Sequence, residues 1–188
     1  YFWKLVRNTV VINIYMLIFA FPAPIILALV INEIKFLRFK KLVQTISYLP
    51  HFLSTVIVCG MVVNIMSNGG LINQLLESFG KEPIPFLMNA NWFRSIYVSS
   101  EIWQGVGWGS IIYLAALTSV DPQQYEAAKM DGANRWQQIW NITIPGIIPV
   151  VTIMFLLSLG NIMTIGFEKI LLLYTGPTYE TADVISTY

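Results

Sequence analysis

Three long stretches of this chain contain no charged residue, and they constrain its fold more than any other feature. The stretches are Thr9–Ile31, Leu42–Leu76 and Trp136–Phe167. Each exceeds the length of about 20 mostly apolar residues that a helix needs to cross the hydrocarbon core of a membrane. Over the whole chain 11% of the residues are charged, whereas soluble domains have about 25%. The sequence therefore predicts an all-α, polytopic transmembrane helix bundle.

We expect four membrane-spanning helices. Pro22 and Pro24 interrupt the first, which neighbouring helices in a membrane bundle can accommodate. Phe52–Met66 is the most apolar part of the second, and the turn residues 67–70 end that part. Glu101 is the one charge in the third. The four predicted spans are Thr9–Ile31, a second within the charge-free stretch Leu42–Leu76 that ends at Met66, Ser95–Leu117 and Ile144–Gly166.

The charges of the connecting segments predict the orientation. The first connection, Asn32–Lys41, contains one acidic residue and four basic ones, Lys35, Arg38, Lys40 and Lys41. Basic residues accumulate on the cytoplasmic side of membranes, so this connection is predicted to be cytoplasmic. The second connection, Ser67–Asn91, is then external, and the third, Thr118–Thr143, is cytoplasmic. The segment after Gly166 is external again.

We expect residues 1–188 to form a single transmembrane domain that is incomplete at both ends. The topology places Tyr1 outside the membrane, although no signal peptide precedes it. The tail Glu180–Tyr188 breaks off without a boundary signal. A missing upstream span and a missing downstream span would account for these two features.

The composition excludes several function classes. The formal net charge of +1 gives no basic surface for nucleic acid. One cysteine and one histidine give neither a disulfide framework nor a His-rich metal site. A phosphate-binding P-loop requires the pattern G-x-x-x-x-G-K-[ST], but the Gly80-Lys81 pair is followed by Glu82. Energy from ATP would have to come from another polypeptide.

The third connection has the pattern of two short helices. Asp121 suits the N-cap of the first helix and Pro122 suits its first position. Gly132 permits a turn before the second helix. Two small helices on a cytoplasmic surface make a compact docking surface. The alternative, an amphipathic helix lying in the membrane interface, expects a basic polar face, but acidic residues here outnumber Lys129 and Arg135.

The same segment resembles the EAA loop of the permease subunits of ABC importers. The family pattern is Glu-Ala-Ala, three residues, Gly, nine residues and Ile-x-Leu-Pro, and this chain departs from it only with Ile144 at the Leu position. The matching residues are Glu126, Ala127, Ala128, Gly132, Ile142 and Pro145. Other stretches are similar to the sugar-permease branch, and closest to its LplB-like polysaccharide or oligosaccharide subgroup. These stretches are Tyr48–Phe52, Glu101–Gly109 and Gly176–Asp183.

The resemblance implies a type I ABC importer permease fold, present here as a fragment, in a multi-pass protein of the bacterial plasma membrane. Residues 118–146 would be the cytoplasmic EAA loop, whose coupling helices fit a cleft of a cytoplasmic ATPase dimer. Glu126 would pair there with a basic residue. Ala127, Ala128 and Gly132 would permit close approach of the two proteins.

The resemblance also implies further partners and a mechanism. They are a second permease subunit and an extracytoplasmic solute-binding protein. ATP and Mg²⁺ would bind the ATPase, so no cofactor is expected in this chain. A sugar or oligosaccharide would cross by alternating access, which is largely a rigid-body motion around a fixed site.

Glu101 is the residue of the spans that most needs an explanation. A charge within a span is costly and usually faces a partner or an aqueous path. Trp103, Gln104 and Trp108 lie near it in sequence, and carboxylate, amide and indole groups suit sugar recognition, so these four residues form a tentative substrate pathway. Alternatively, Glu101 reaches the outer interface or pairs with Arg94. Small residues on the same helix permit tight helix contacts, namely Gly105, Gly107 and Gly109.

Two other residues are predicted to be structural. His51 follows Pro50 at the start of an apolar run, and we interpret it as a helix-start residue rather than a proton relay. Cys59 lies deep in the same run and is predicted to be a small buried hydrophobe.

Three other functions are consistent with a polytopic membrane protein. The first is a permease for amino acids, phosphate or polyamines, which would differ from a sugar permease only in its solute. A membrane-embedded transferase would need a cluster of acids, histidines or metal ligands, and His51 and Glu101 are each isolated in sequence. A non-catalytic scaffold would not require an EAA loop.

Overall fold

A computed structural model describes residues 1–187, and every regular element in that part of the chain is helical. Short 3₁₀ and π turns join several of the α-helices. The helices are α1 Phe2–Tyr15, α2 Pro22–Glu33, α3 Leu37–Tyr48, α4 Thr55–Met66, α5 Leu71–Ser78, α6 Ala90–Thr118, α7 Pro122–Met130, α8 Arg135–Gln138, α9 Ile144–Gly160, α10 Phe167–Leu173 and α11 Tyr179–Ala182.

Three helical stretches among the described residues are long and apolar enough to cross a membrane. They are Phe2–Glu33, Thr55–Ser78 and Arg135–Gly160. The third predicted span lies in α6, which at 29 residues is about 43 Å long but less apolar than those three. The predicted all-α membrane bundle is therefore present, with one long helix that carries more polar residues than the others.

The first span is continuous despite its two prolines. A π turn, Met16–Ala20, joins α1 to α2, and the N–H of Phe21 donates to the carbonyl of Met16 at 2.9 Å. A proline removes one backbone donor and its ring crowds the preceding turn. The wider π turn absorbs that disturbance just before Pro22, so that the helix continues across the membrane.

The second charge-free stretch, Leu42–Leu76, is not one helix, and its most apolar part, Phe52–Met66, contains α4. A 3₁₀ turn, Leu49–Phe52, separates α3 from α4, and a turn at residues 67–70 separates α4 from α5. The second turn was predicted. The first arises at Pro50, which cannot donate a backbone hydrogen bond. The chain therefore crosses this part of the bundle as two helices with irregular backbone between them.

The fourth predicted span also differs at its ends. Helix α9 ends at Gly160, and the residues up to Gly166 form turns and irregular backbone. At its start α9 continues from α8 through a π turn, Ile139–Thr143. Beyond the helix Ile165 is buried and Ile162 is half-buried, whereas the other residues up to Gly166 are exposed.

The connecting segments lie at the two ends of the bundle in the arrangement that the charge pattern predicts, and side-chain contacts join those at each end. Arg135 Nη1 lies 3.4 Å from Glu33 Oε2, so the first and third connections share one end of the bundle. At the other end Asn8 Nδ2 donates to the carbonyls of Glu180 and Asp183, each at 2.9 Å. The segment after Gly166 therefore ends beside the start of α1. The exposed Arg135 pair contributes little energy.

Helix α6 is packed tightly in the middle of the bundle. A Cβ atom on Gly107 would overlap the backbone carbonyl of Ser47 at the end of α3. A Cβ atom on Gly109 would lie 3.1 Å from the Pro24 ring, whereas one on Gly105 would meet nothing within 4 Å. The predicted close contact is thus confirmed at Gly107. Cys59 is 2% exposed, which confirms its prediction as a buried hydrophobe.

Candidate functional site

The break between α3 and α4 opens into a polar cavity of about 480 Å³. Helix α1, the break, α6 and the start of α10 form its walls. Irregular backbone inside a membrane protein is tolerated where it lines a cavity or is buried in protein. The polar side chains that line the cavity include Asn13, His51, Thr55, Glu101, Gln104 and Lys169.

A partly buried ion pair lines this cavity. Lys169 Nζ is 2.8 Å from Glu101 Oε1, and the side chains of Lys169 and Glu101 are 5% and 29% exposed. The same ammonium donates to Gln104 Oε1 at 2.9 Å. Gln104 Nε2 in turn donates to the carbonyl of Leu53 at 3.2 Å, a carbonyl that the helix break leaves free. The network joins α6, the break and α10.

In the structure Glu101 pairs with Lys169 and not with Arg94, the partner considered from the sequence. Arg94 does not pair with Glu101, because its Nη2 donates to Asn8 Oδ1 at 3.1 Å. Lys169 takes that place, although it lies outside every predicted span. Its position directly after an apolar segment and beside Glu168 is the signal that a search for a compensating charge could have used.

The ring of His51 lines the cavity, and two further aromatic rings pack behind it. The ring of His51 stacks on that of Trp108, with centroids 4.6 Å apart and planes 3° apart. Phe52 contacts the same indole edge to face, with centroids at 5.7 Å. His51 lies in the turn before α4, as predicted, but it also lines the cavity. The imidazole of His51 therefore brings two hydrogen-bonding nitrogens and an aromatic ring to the cavity from the helix break.

The four residues of the tentative pathway do not all come together. Glu101 and Gln104 line the cavity, and Trp108 supports its wall through His51. Trp103 lies instead in an apolar cleft of about 230 Å³ between α4 and α6. Successive helical residues are about 100° apart, so Trp103 points roughly 200° away from Glu101. Helical geometry alone could have separated this residue from the others.

The EAA loop folds as the two short helices that its sequence predicts. Asp121 Oδ1 accepts from the N–H of Gln123 at 2.9 Å and caps α7, with Pro122 at the first position. Gly132 has φ of +79°, a left-handed conformation that favours glycine. The N–H of Ala133 donates to the carbonyl of Ala128 at 2.8 Å, which closes the turn as a helix C-cap motif.

A second cap in this loop was not recognised from the sequence. Asn134 and Gln137 form a reciprocal capping box at the start of α8. Tyr125 and Thr143 then join α7 to the π turn before α9, with their hydroxyl oxygens 3.0 Å apart. The loop is thus built as a rigid unit on the end of the bundle.

The matched EAA residues lie mostly at the surface of this unit. Glu126, Ala127, Gly132 and Pro145 are exposed, and Ala128 and Ile142 are half-buried. Met130 and Trp136 are 88% and 73% exposed. Exposed apolar side chains, small residues and a carboxylate therefore lie side by side on this surface. No other segment among the described residues covers it.

A multi-helix membrane bundle with a polar internal cavity and an exposed two-helix loop has the architecture of a transport permease. Residues 8–177 match the family of binding-protein-dependent transport system inner membrane components, and the chain belongs to this family. It is a family of transport subunits, and the named relatives are permeases rather than enzymes.

Individual relatives are similar over the whole chain. It is 47% identical to the polygalacturonan/rhamnogalacturonan transport system permease protein YteP and 43% identical to protein LplB, both of Bacillus subtilis strain 168. Each alignment covers 100% of this chain and 59% of the relative. The chain therefore spans less than two thirds of these relatives. The resemblance to the LplB-like branch is confirmed.

The fold is also that of a solved transporter. A chain of a bacterial ABC transporter involved in the import of the acidic polysaccharide alginate superimposes with a TM-score of 0.96 at 49% identity. The match covers 100% of this chain and 66% of that one. A second structure of a bacterial alginate ABC transporter, in complex with an alginate pentasaccharide-bound periplasmic protein, matches equally well. The predicted permease fold is confirmed.

Proposed function

We propose that this chain is the membrane-spanning part of a permease subunit of an ATP-driven, binding-protein-dependent importer for a sugar or oligosaccharide. The observation that carries this proposal is the polar cavity at the break between α3 and α4. In secondary transporters, discontinuous helices commonly form the substrate site near the middle of the membrane. The bacterial plasma membrane is the proposed location.

The cavity offers the chemistry that sugar hydroxyls need. The carboxylate of Glu101 accepts hydrogen bonds, the ammonium of Lys169 donates them, and the amide of Gln104 does both. The ring of His51, stacked on Trp108, supplies an aromatic surface against which the C–H face of a sugar packs. Trp103 is outside this proposed pathway because its side chain lies in a separate cleft.

The kinds of relative favour a saccharide over other solutes. One relative is named for polygalacturonan and rhamnogalacturonan, another for lactose, and the solved transporter for alginate. For this chain we propose a sugar or oligosaccharide rather than an amino acid, phosphate or polyamine. A membrane enzyme is disfavoured, since no group of three His, Cys, Asp or Glu that could hold a metal occurs among residues 1–187.

Coupling to ATP hydrolysis is assigned to the EAA loop. In this proposal Glu126 pairs with a basic residue of a cytoplasmic ATPase dimer, where ATP and Mg²⁺ bind. Ala127, Ala128 and Gly132 permit close approach. The Tyr125–Thr143 hydrogen bond would pass the motion of the loop to the start of α9. A second permease subunit and a solute-binding protein complete the proposed assembly.

Replacing Glu101 with Gln tests the substrate pathway. We expect the substrate-stimulated ATPase activity of the reconstituted importer to fall about tenfold or more, because the variant removes a charged hydrogen-bond acceptor from the proposed site, and a hydrogen bond to a charged group contributes about 1.5–3 kcal/mol. The measurement is ATPase activity across a panel of oligosaccharides, each presented with the binding protein. Glu77→Gln, an exposed carboxylate in the second connection, is the matched control.

The double variant Glu101→Gln with Lys169→Met separates substrate contact from pairing. If Glu101 only balances the charge of Lys169, removing both charges restores stimulation. If Glu101 or Lys169 contacts substrate, the double variant stays impaired. A wild-type response of Glu101→Gln to every sugar would remove Glu101 from the pathway.

A further inference from the structure

The start of α3 and the residues just before it carry a dense basic cluster, defined by Lys35, Arg38, Lys40 and Lys41. Lys35, Arg38 and Lys41 are exposed, and Lys40 is half-buried. None of the four takes part in an ion pair among the described residues. The nearest acid in sequence, Glu33, is already paired with Arg135. The cluster is therefore an uncompensated positive surface.

The cluster does not stabilise the helix that carries it. The first turn of α3 contains no acidic residue, and cations near a helix N-terminus are unfavourable because they face the positive end of the helix dipole. No buried residue occurs on α3, so the basic side chains are not placed by core packing either. Their arrangement fits an anion outside the chain.

An exposed apolar ridge begins directly below the basic cluster. Leu42, Ile46 and Leu49 are 54%, 62% and 63% exposed, and their spacing places them on one face of α3 and the turn that follows it. The ridge is about 10 Å long at 1.5 Å per residue. Arg38 lies one turn before Leu42 on the same face. Phe36 and Phe39 flank the cluster and are 79% and 54% exposed.

We infer that this surface binds an anionic phospholipid. The phosphate group lies against Arg38, Lys41 and Lys35, and an acyl chain lies along the ridge of Leu42, Ile46 and Leu49. Positive charge at the membrane boundary attracts anionic headgroups, and the exposed phenylalanines suit the headgroup level. The site is separate from the cavity and from the EAA loop, and it does not depend on which solute is carried.

Lipid retention by the whole permease complex tests this site. The complex is purified in detergent, incubated with equal amounts of phosphatidylglycerol and phosphatidylcholine, and examined by native mass spectrometry. We expect retention of phosphatidylglycerol over phosphatidylcholine. In the Arg38→Gln, Lys41→Gln double variant we expect affinity for phosphatidylglycerol to fall roughly 30-fold, since each basic residue near the surface contributes about fivefold.

Two controls keep the result specific. Lys81→Gln removes an exposed charge of the second connection and should leave retention unchanged. Arg38→Lys keeps the charge and should keep most of the retention. Equal retention of both lipids by the wild type overturns the inference. So does a double variant that keeps its phosphatidylglycerol but loses a co-purifying protein, because the cluster would then bind a polypeptide.

Discussion

Substrate uptake is expected to be abolished when Gly132 is replaced by Asp, while the permease remains folded in the membrane. Nothing lies within 4 Å of a Cβ atom at this position, so the substitution causes no clash inside the chain. The left-handed φ of +79° costs a residue with a side chain about 1–2 kcal/mol, a strain confined to the loop. If the proposed ATPase covers this surface, a buried unpaired carboxylate costs about 3–5 kcal/mol, roughly a hundredfold or more in association.

Gly80 provides a matched control for this substitution. It also has a positive φ, +73°, and open space around a Cβ atom, but it lies in the second connection, on the opposite side of the predicted topology. Gly80→Asp should therefore leave uptake unchanged. The measurements are uptake in cells and the amount of ATPase that co-purifies with the permease. Normal uptake together with normal ATPase recovery in Gly132→Asp would contradict the docking assignment.

The variant Gly132→Asn separates charge from bulk at the same position. Asn adopts the left-handed conformation more readily than most residues and adds a side chain of similar size without charge. Loss of uptake in both variants indicates that close approach of the two backbones is required. Loss in the Asp variant alone indicates that electrostatic repulsion or desolvation of the carboxylate is responsible.

Gly107→Ala is expected to destabilise the helix bundle itself. The added methyl group would overlap backbone atoms of Ser47 and Tyr48, and backbone moves less readily than a side chain. Overpacking typically costs about 1–3 kcal/mol, so we expect a melting temperature about 5–10 °C lower for the purified permease complex. The measurement is thermal unfolding in detergent, together with the yield of folded protein.

Gly105→Ala is the matched control for packing. The position lies two residues away on the same helix, and a Cβ atom there meets nothing within 4 Å. Alanine is favoured over glycine in a helix by about 1 kcal/mol, so this variant should be as stable as the wild type or slightly more. If the Gly107→Ala and Gly105→Ala proteins had the same melting temperature, α3 would not pack against α6 at Gly107 as the structure shows.

Features that depend on local chemistry were predictable from the sequence. The spans follow from apolar length, and the arrangement of the connections follows from the distribution of Lys and Arg. The turn at Gly132 follows from a glycine between two short helical patterns, and the Asp121 cap from its position before Pro122. Each of these signals lies within a few neighbouring residues or in the composition of one segment.

Features that depend on distant contacts were not predictable in the same way. The break after Tyr48 lies in a run that is apolar on both sides, and its Leu53 carbonyl is satisfied by Gln104, 51 residues along the chain. The Glu101 charge is balanced by Lys169, from a helix outside the predicted spans. Hydrophobicity measures the cost of placing such groups in a membrane, but it does not identify their partners.

The contact of Asn8 with the last part of the chain sets an order for biosynthesis. Asn8 is fully buried, and its amide donates to carbonyls of residues 180 and 183, which the ribosome makes more than 170 positions later. The amide at the outer end of the first span therefore lacks these two acceptors until residues 180 and 183 have been made. A nascent chain released before residue 180 would keep its first span but lose the contacts that hold the start of α1 to the segment after Gly166.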